Sequence, residues 1–167
     1  MLYLFDANVL IDGNRDYYPI ERIPEFWEWL VHVGQQGLVK IPLEVYEEIK
    51  VGRDSLAAWS KEHVVESALL FEEAVDVTLV SKVANEGYAA DLTDIEVEKI
   101  GRDPFLVAYG LAATGDRFIV TTESSKPNAQ RANRRIPDVC RQFGVPFCNT
   151  FAFLRALNFS TNWKTLV

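Results

Sequence analysis

The chain opens on an unbroken apolar run, Leu2, Tyr3, Leu4 and Phe5. A run without polar alternation predicts a strand buried on both faces, as in a parallel sheet. It ends at Asp6, with Asn8 two residues on, and a helix is expected from near Val9. Apolar positions next recur at helical spacing in Phe26, Trp27, Leu30 and Val33, between Pro24 and Gly34. Residues 38–41 predict a second strand. Residues 42–50 predict a helix opened by Pro42, with Val45 and Ile49 on its apolar face and Gly52 closing it. Residues 53–86 read as a helical hairpin. Leu56 and Trp59 mark its first piece, and Ala68, Leu69, Phe71, Val75, Leu79, Val80 and Val83 make a long second one.

The acidic stretch of Asp91, Asp94, Glu96 and Glu98 reads as solvated. Asp103 then fits a helix N-cap and Pro104 the first turn, ahead of an almost wholly apolar helix over residues 105–113. Residues 118–120 predict a third strand, which runs into Thr121, Thr122 and Glu123. A polar, basic loop follows over residues 124–135. Pro137 starts a helix that Gly144 ends, residues 145–148 form a fourth strand, and residues 151–157 a last helix. Alternating strands and helices imply right-handed crossovers and a parallel sheet covered on both sides. The expected fold is α/β, a three-layer α/β/α sandwich around a central, mainly parallel sheet of four to five strands. No repeat or linker interrupts the pattern, so residues 1–167 are expected to form a single domain.

Composition narrows the chemistry. Two histidines, His32 and His63, and two separated cysteines, Cys140 and Cys148, argue against a zinc site and a disulfide framework. No charged segment precedes the apolar start, and the run is too short to span a bilayer, so a cytoplasmic protein with no membrane partner is expected. The formal charge of −7 disfavours general nucleic-acid binding. Basic residues nevertheless cluster in the loop after the third strand, in Lys126, Arg131, Arg134 and Arg135. They make either a solvated loop or a phosphate-binding rim.

Four acids fall at places where open α/β sheets bind ligands, beyond strand ends or at the start of a buried helix. These are Asp6, either Glu48 or Glu44 on the helix after the second strand, Asp103 and Glu123. Each also has a plainer reading: Asp6 and Asp103 as helix caps, Glu44 and Glu48 as a wet helix face. If they converge, an all-oxygen set without histidine or thiolate suits Mg2+ or Mn2+. Such a site supports phosphodiester hydrolysis.

The segments FDANVLI, IPLEVYEEIKVG, GRDPFLVAYGLA and FIVTTE, in that order, resemble the PIN domain of metal-dependent ribonucleases, which includes VapC-like toxins of toxin–antitoxin pairs. The likeness covers nearly the whole chain, and the IPDVC helix at residues 136–140 points to a narrower PIN subfamily. The resemblance implies that Asp6, Glu48, Asp103 and Glu123 are the metal-binding and catalytic acids. It makes Asn8 and Thr121 supporting residues and Glu44 the fallback for Glu48. Glu123 stands where the family usually has aspartate, one methylene shorter. Asp138, after Pro137, is explained by capping.

The resemblance further implies an endoribonuclease dependent on Mg2+ or Mn2+, an RNA substrate, an antitoxin partner and a homodimer. Trp27, Trp29, Trp59, Phe151 and Phe153 could supply an apolar dimer interface or simply core. A non-catalytic PIN-like scaffold or regulatory binding module is the alternative. A phosphatase or receiver-like reading expects an acid where Asn8 stands and a lysine after a late strand, and finds neither.

Overall fold

Five parallel strands form one sheet in the order β3-β2-β1-β4-β5, in a computed structural model that describes residues 1–165. β1 (Leu2–Phe5) lies at the centre. It pairs with β2 (Val39–Pro42) through Tyr3 and Val39, and with β4 (Arg117–Val120) from Leu2 against Arg117 to Phe5 against Val120. β3 (Leu70–Phe71) and β5 (Phe147–Cys148) are two-residue edge strands. The winding reverses at β1. Strands β2 and β3 lie on one side of it, β4 and β5 on the other, which opens a crevice beyond the carboxyl ends of β1 and β4.

Ten α-helices among the described residues cover the sheet. α1 (Ala7–Asp12) runs into a π-helical turn at Gly13–Tyr17. α2 (Pro24–Gln35) buries Phe26, Trp27, Trp29, Leu30 and Val33. α3 (Leu43–Lys50), α4 (Ser55–Ser60) and α5 (His63–Leu69) lead to β3. α6 (Val77–Lys82), a π-helical turn at Val83–Tyr88 and α7 (Asp94–Ile100) precede α8 (Asp103–Leu111). α9 (Ile136–Phe143) and α10 (Thr150–Ala156) flank β5. α8 packs so closely that a Cβ on Gly110 would stand 2.6 Å from Val145 Cγ1 and 3.0 Å from Ile119 Cδ1. Only glycine permits that approach.

Four expectations change. The helical hairpin over residues 53–86 is broken. Its long second piece holds the end of α5, then β3, then α6, because Leu70 and Phe71 extend to pair with Ile41 and Pro42. The acidic stretch is not merely solvated but carries α7, opened by a reciprocal capping box between Thr93 and Glu96. The fourth strand shortens to Phe147–Cys148. Trp27, Trp29, Trp59 and Phe153 are buried core, with Trp27 and Trp59 in edge contact at 4.7 Å. Of the aromatics considered for a dimer face, Phe151 alone is exposed. No helix among the described residues is long and apolar enough to cross a membrane.

Candidate functional site

Asp6 occupies the cap position of α1, but its side chain makes no capping hydrogen bond. It turns instead to the end of β4, where the Thr121 hydroxyl donates to Asp6 Oδ2 at 2.8 Å. Both residues are buried, 5% and 1% exposed, so this bond fixes the carboxylate at the crevice. Thr121 Oγ1 in turn accepts the Glu123 N–H at 3.1 Å. The pairing of β1 with β4 thus brings together groups 115 residues apart. Burial pushes Asp6 up to about 6, and the charges of Glu123 and Glu48 add to this against the opposing Thr121 bond.

Asp103 is the first residue of α8 rather than its cap. Arg102 holds the cap position, and Pro104 follows inside the first turn. The Asp103 side chain faces the crevice and accepts a long, 3.4 Å hydrogen bond from the Tyr88 hydroxyl. Burial first, then Asp6 and Glu123, push it up to about 8. Asp103 is therefore mostly protonated at neutral pH while the crevice holds no cation.

Asp6, Asn8, Glu48, Asp103 and Glu123 all line one cavity of about 380 Å3. Glu48 and Glu44 separate cleanly. Glu48 is on this cavity, whereas Glu44 lines another with Phe71 and Tyr109, where its Oε2 is buried without a partner among the described residues. Glu123 reaches the cavity already engaged. Its Oε1 accepts from Arg135 Nη1 and its Oε2 from the Ile136 N–H, each at 2.7 Å. The extra methylene over aspartate lets Glu123 tie the end of β4 to the start of α9. Among the described residues, no three acid, histidine or cysteine side chains stand close enough to hold an ion as they are.

The basic loop divides in the same way. Lys126, Arg134 and Arg135 line the cavity; Arg131 does not. Arg131 is spent on a clasp to α7, donating from Nε to Glu96 Oε1 at 2.7 Å and from Nη1 to Asp91 Oδ1 at 2.7 Å. It adopts a left-handed φ of 52° in doing so. Arg134 donates to the Gly87 carbonyl and, at 2.5 Å, to Gln142 Oε1. Both arginines hold the loop, whereas the Lys126 ammonium is exposed and without a partner among the described residues.

Asp138 anchors the other end of the loop rather than simply capping α9. It accepts from the Ser125 hydroxyl at 2.5 Å and from the Lys126 N–H at 2.7 Å. Burial works against its charge, yet these bonds and Arg141 hold it below the ordinary carboxylate value. Sequence reasoning also missed Glu98, Lys99 and Arg102, which line the cavity. The Thr93–Glu96 spacing was the readable sign of α7, which places Glu98 and Lys99.

The donor chemistry suits a hard cation. Oxygen is the main donor available, and Asp6 and Asp103 are both raised partly by neighbouring carboxylate charge, Asp6 by Glu123 and Glu48 and Asp103 by Asp6 and Glu123, a penalty that a divalent ion relieves. Asp6, Glu48 and Asp103 retain oxygens to offer, and Glu48 sits on an exposed stretch of α3. Glu123 is the member whose oxygens are both taken.

Comparison with known proteins gives a family match over residues 3–161, to a family described as a domain of unknown function, DUF4411. No curated protein and no solved structure matches the chain. Since the match spans nearly the whole sequence, the chain belongs to the DUF4411 family.

Proposed function

We propose that the carboxylate cavity is the hydrolytic centre of a metal-dependent endoribonuclease of the PIN type. One observation carries the reading: acids from the end of β1, from α3, from the start of α8 and from the end of β4 line a single cavity at the switch point of the sheet. Two of them are raised in pKa by burial and by that shared charge. Asp6, Glu48 and Asp103 would hold Mg2+ or Mn2+, which supplies an activated water and charge neutralisation at the scissile phosphate when bound. The Thr121 hydroxyl fixes the angle of Asp6. Asp103 would have to lose its proton to serve as a ligand to such a cation. Lys126 and Arg135 face the cavity and can hold phosphate oxygens, which offsets the acidity of the chain locally.

The test is cleavage of structured and single-stranded RNA by purified protein with Mn2+, and again with the metal chelated. Cleavage that needs the metal supports the reading, and no cleavage of any RNA under either condition ends it. A toxin role adds a protein partner. Its sign is a neighbouring gene product that co-purifies with the chain and stops cleavage.

Phosphate contact is checked separately. Lys126→Ala with Arg135→Ala should weaken RNA binding and lower the slope of log affinity against log salt by about 1–2. An unchanged slope removes both residues from the RNA path. Arg131→Ala is expected to leave the slope alone, because Arg131 does not line the cavity and all three of its guanidinium nitrogens are held by Asp91 and Glu96, whereas Arg135 donates to Glu123 from Nη1 alone.

The engagement of Glu123 by Arg135 and the Ile136 N–H favours a second reading, a binding module that no longer cleaves. That protein would bind Mn2+ and show a metal-induced rise in melting temperature, with no hydrolysis at any pH.

A further inference from the structure

Beside the carboxylate cavity lies a second one of about 270 Å3, and Glu123 lines both. Its chemistry is different. Tyr17 and Phe151 stand at its rim, 52% and 48% exposed, with ring centroids 5.7 Å apart and planes nearly perpendicular. Tyr18 lines it further in, stacked on Phe26 at 4.5 Å. Gly13 completes the wall. A Cβ there would meet nothing within 4 Å, so a side chain at this position has open space to enter.

The polar lining is Thr122, Ser124, Asn149 and Thr150, which are neutral, and the carboxylates Asp12 and Glu123, both already paired. Asp12 is satisfied by Thr122 and Arg15, each at 2.8 Å. Asn149 accepts from the Ala152 N–H through Oδ1, which leaves its amide N–H groups free at the rim.

We propose that this cavity receives one unpaired nucleobase of an RNA strand, held next to the phosphate bound at the carboxylates. The position of the strand rests on the nuclease reading above. A nucleobase has two flat faces and a polar edge, and proteins take up unpaired bases by stacking on aromatic rings and meeting that edge with a few amides or hydroxyls. The volume lies just below the range for small-molecule pockets, which suits a single base rather than a larger ligand. The shared Glu123 wall makes the two cavities neighbours, as a base and its adjoining phosphate are neighbours on one strand.

Gly13 supplies a clean test. Its backbone is right-handed, with φ of −54°, so Gly13→Leu introduces no backbone strain and adds apolar bulk at the cavity wall while leaving every acid of the carboxylate cavity unsubstituted. The probe is a labelled single-stranded RNA hexamer, compared with a hexamer of the same backbone that is abasic throughout. Binding is measured in Ca2+ by fluorescence anisotropy. Wild type should bind the intact hexamer more tightly than the abasic one. Gly13→Leu and Phe151→Ala should each weaken the intact hexamer by about 5- to 150-fold, the equivalent of ~1–3 kcal/mol per stacked base, and leave the abasic one unchanged. A melting temperature at or near wild type certifies the Gly13→Leu fold.

The inference is overturned if Gly13→Leu binds the hexamer as wild type does, or if wild type treats the two hexamers alike. The nuclease reading stands or falls separately, on metal-dependent cleavage. Base-dependent binding without cleavage keeps the cavity and ends that reading, while cleavage with Gly13→Leu indifferent does the reverse.

Discussion

Asp103→Asn is expected to reduce metal-dependent RNA cleavage by roughly 100-fold or more while raising the melting temperature of the metal-free protein. The two effects share one cause. Asp103 is held at about 8 by burial and by the nearby carboxylates of Asp6 and Glu123. Below about pH 4 it is protonated in the folded and unfolded chain alike. Between about 4 and 8 the folded protein keeps a proton that the unfolded chain releases, so stability falls as pH rises through that window. Asp6 adds the same sign up to about 6.

Asparagine keeps the size of the side chain and can accept from Tyr88, but carries no charge to penalise. The metal-free mutant should melt about 2–8 °C above wild type at pH 7–8, corresponding to about 1–2 kcal/mol. Its stability should also be flatter with pH between 6 and 8. Mn2+ should stabilise wild type more than the mutant, and more at pH 8 than at pH 6, since binding displaces the Asp103 proton. Calorimetric melts with and without Mn2+ at two pH values decide it. A mutant that melts lower without metal, and gains from Mn2+ as wild type does, would show that Asp103 is no part of a shared charge cluster.

Asp138→Ala should be the most damaging loop substitution, lowering stability by about 2–3 kcal/mol and the melting temperature by about 5–10 °C. The alanine leaves the Ser125 hydroxyl and the Lys126 N–H without their acceptor and Arg141 without its ion pair. Asp138→Asn retains one acceptor oxygen for three donors and should lose roughly half as much. The pH dependence runs opposite to that of Asp103. The Asp138 pKa is depressed, so its stabilisation is present above the ordinary carboxylate range and disappears as pH falls through its lowered value. RNA cleavage should fall with the loop, because Lys126 takes its position from the backbone bond to Asp138. Equal melting temperatures for Asp138→Ala and wild type would remove the anchor role.

How far the sequence carried depends on the kind of signal. β1 and the Phe118–Val120 part of β4 were legible as apolar runs ending at a polar residue, and β2 as a short, largely apolar segment ending at proline. β3 was not, since two residues carry no period and Leu70 and Phe71 continue the helical spacing of α5. The convergence of Asp6, Asp103 and Glu123 on one cavity followed from strand ends and a helix start, which topology places together, while Glu48 joins them from within α3. The choice of Glu48 over Glu44 is one helical turn, and composition alone cannot orient a turn. The destiny of Arg131 was hidden for another reason. Its partners Asp91 and Glu96 lie 40 and 35 residues away, and long-range pairing of surface charges leaves no local pattern. Glu123 was visible as a departure from aspartate, but the use of its extra length depends on Arg135 and Ile136 lying beside it.

The central position of β1 also governs when the site comes into being. The first strand is synthesised first, yet its carboxylate acquires its hydroxyl partner from Thr121, 115 residues later. Until β4 leaves the ribosome, Asp6 has neither Thr121 nor Glu123 near it, and before residue 103 the cluster lacks Asp103 as well. A growing chain therefore carries its acids dispersed and unpaired, and only an almost finished one brings them together. On the proposed nuclease reading, this sheet order would keep the nascent chain inert toward its own message until most of it has been read.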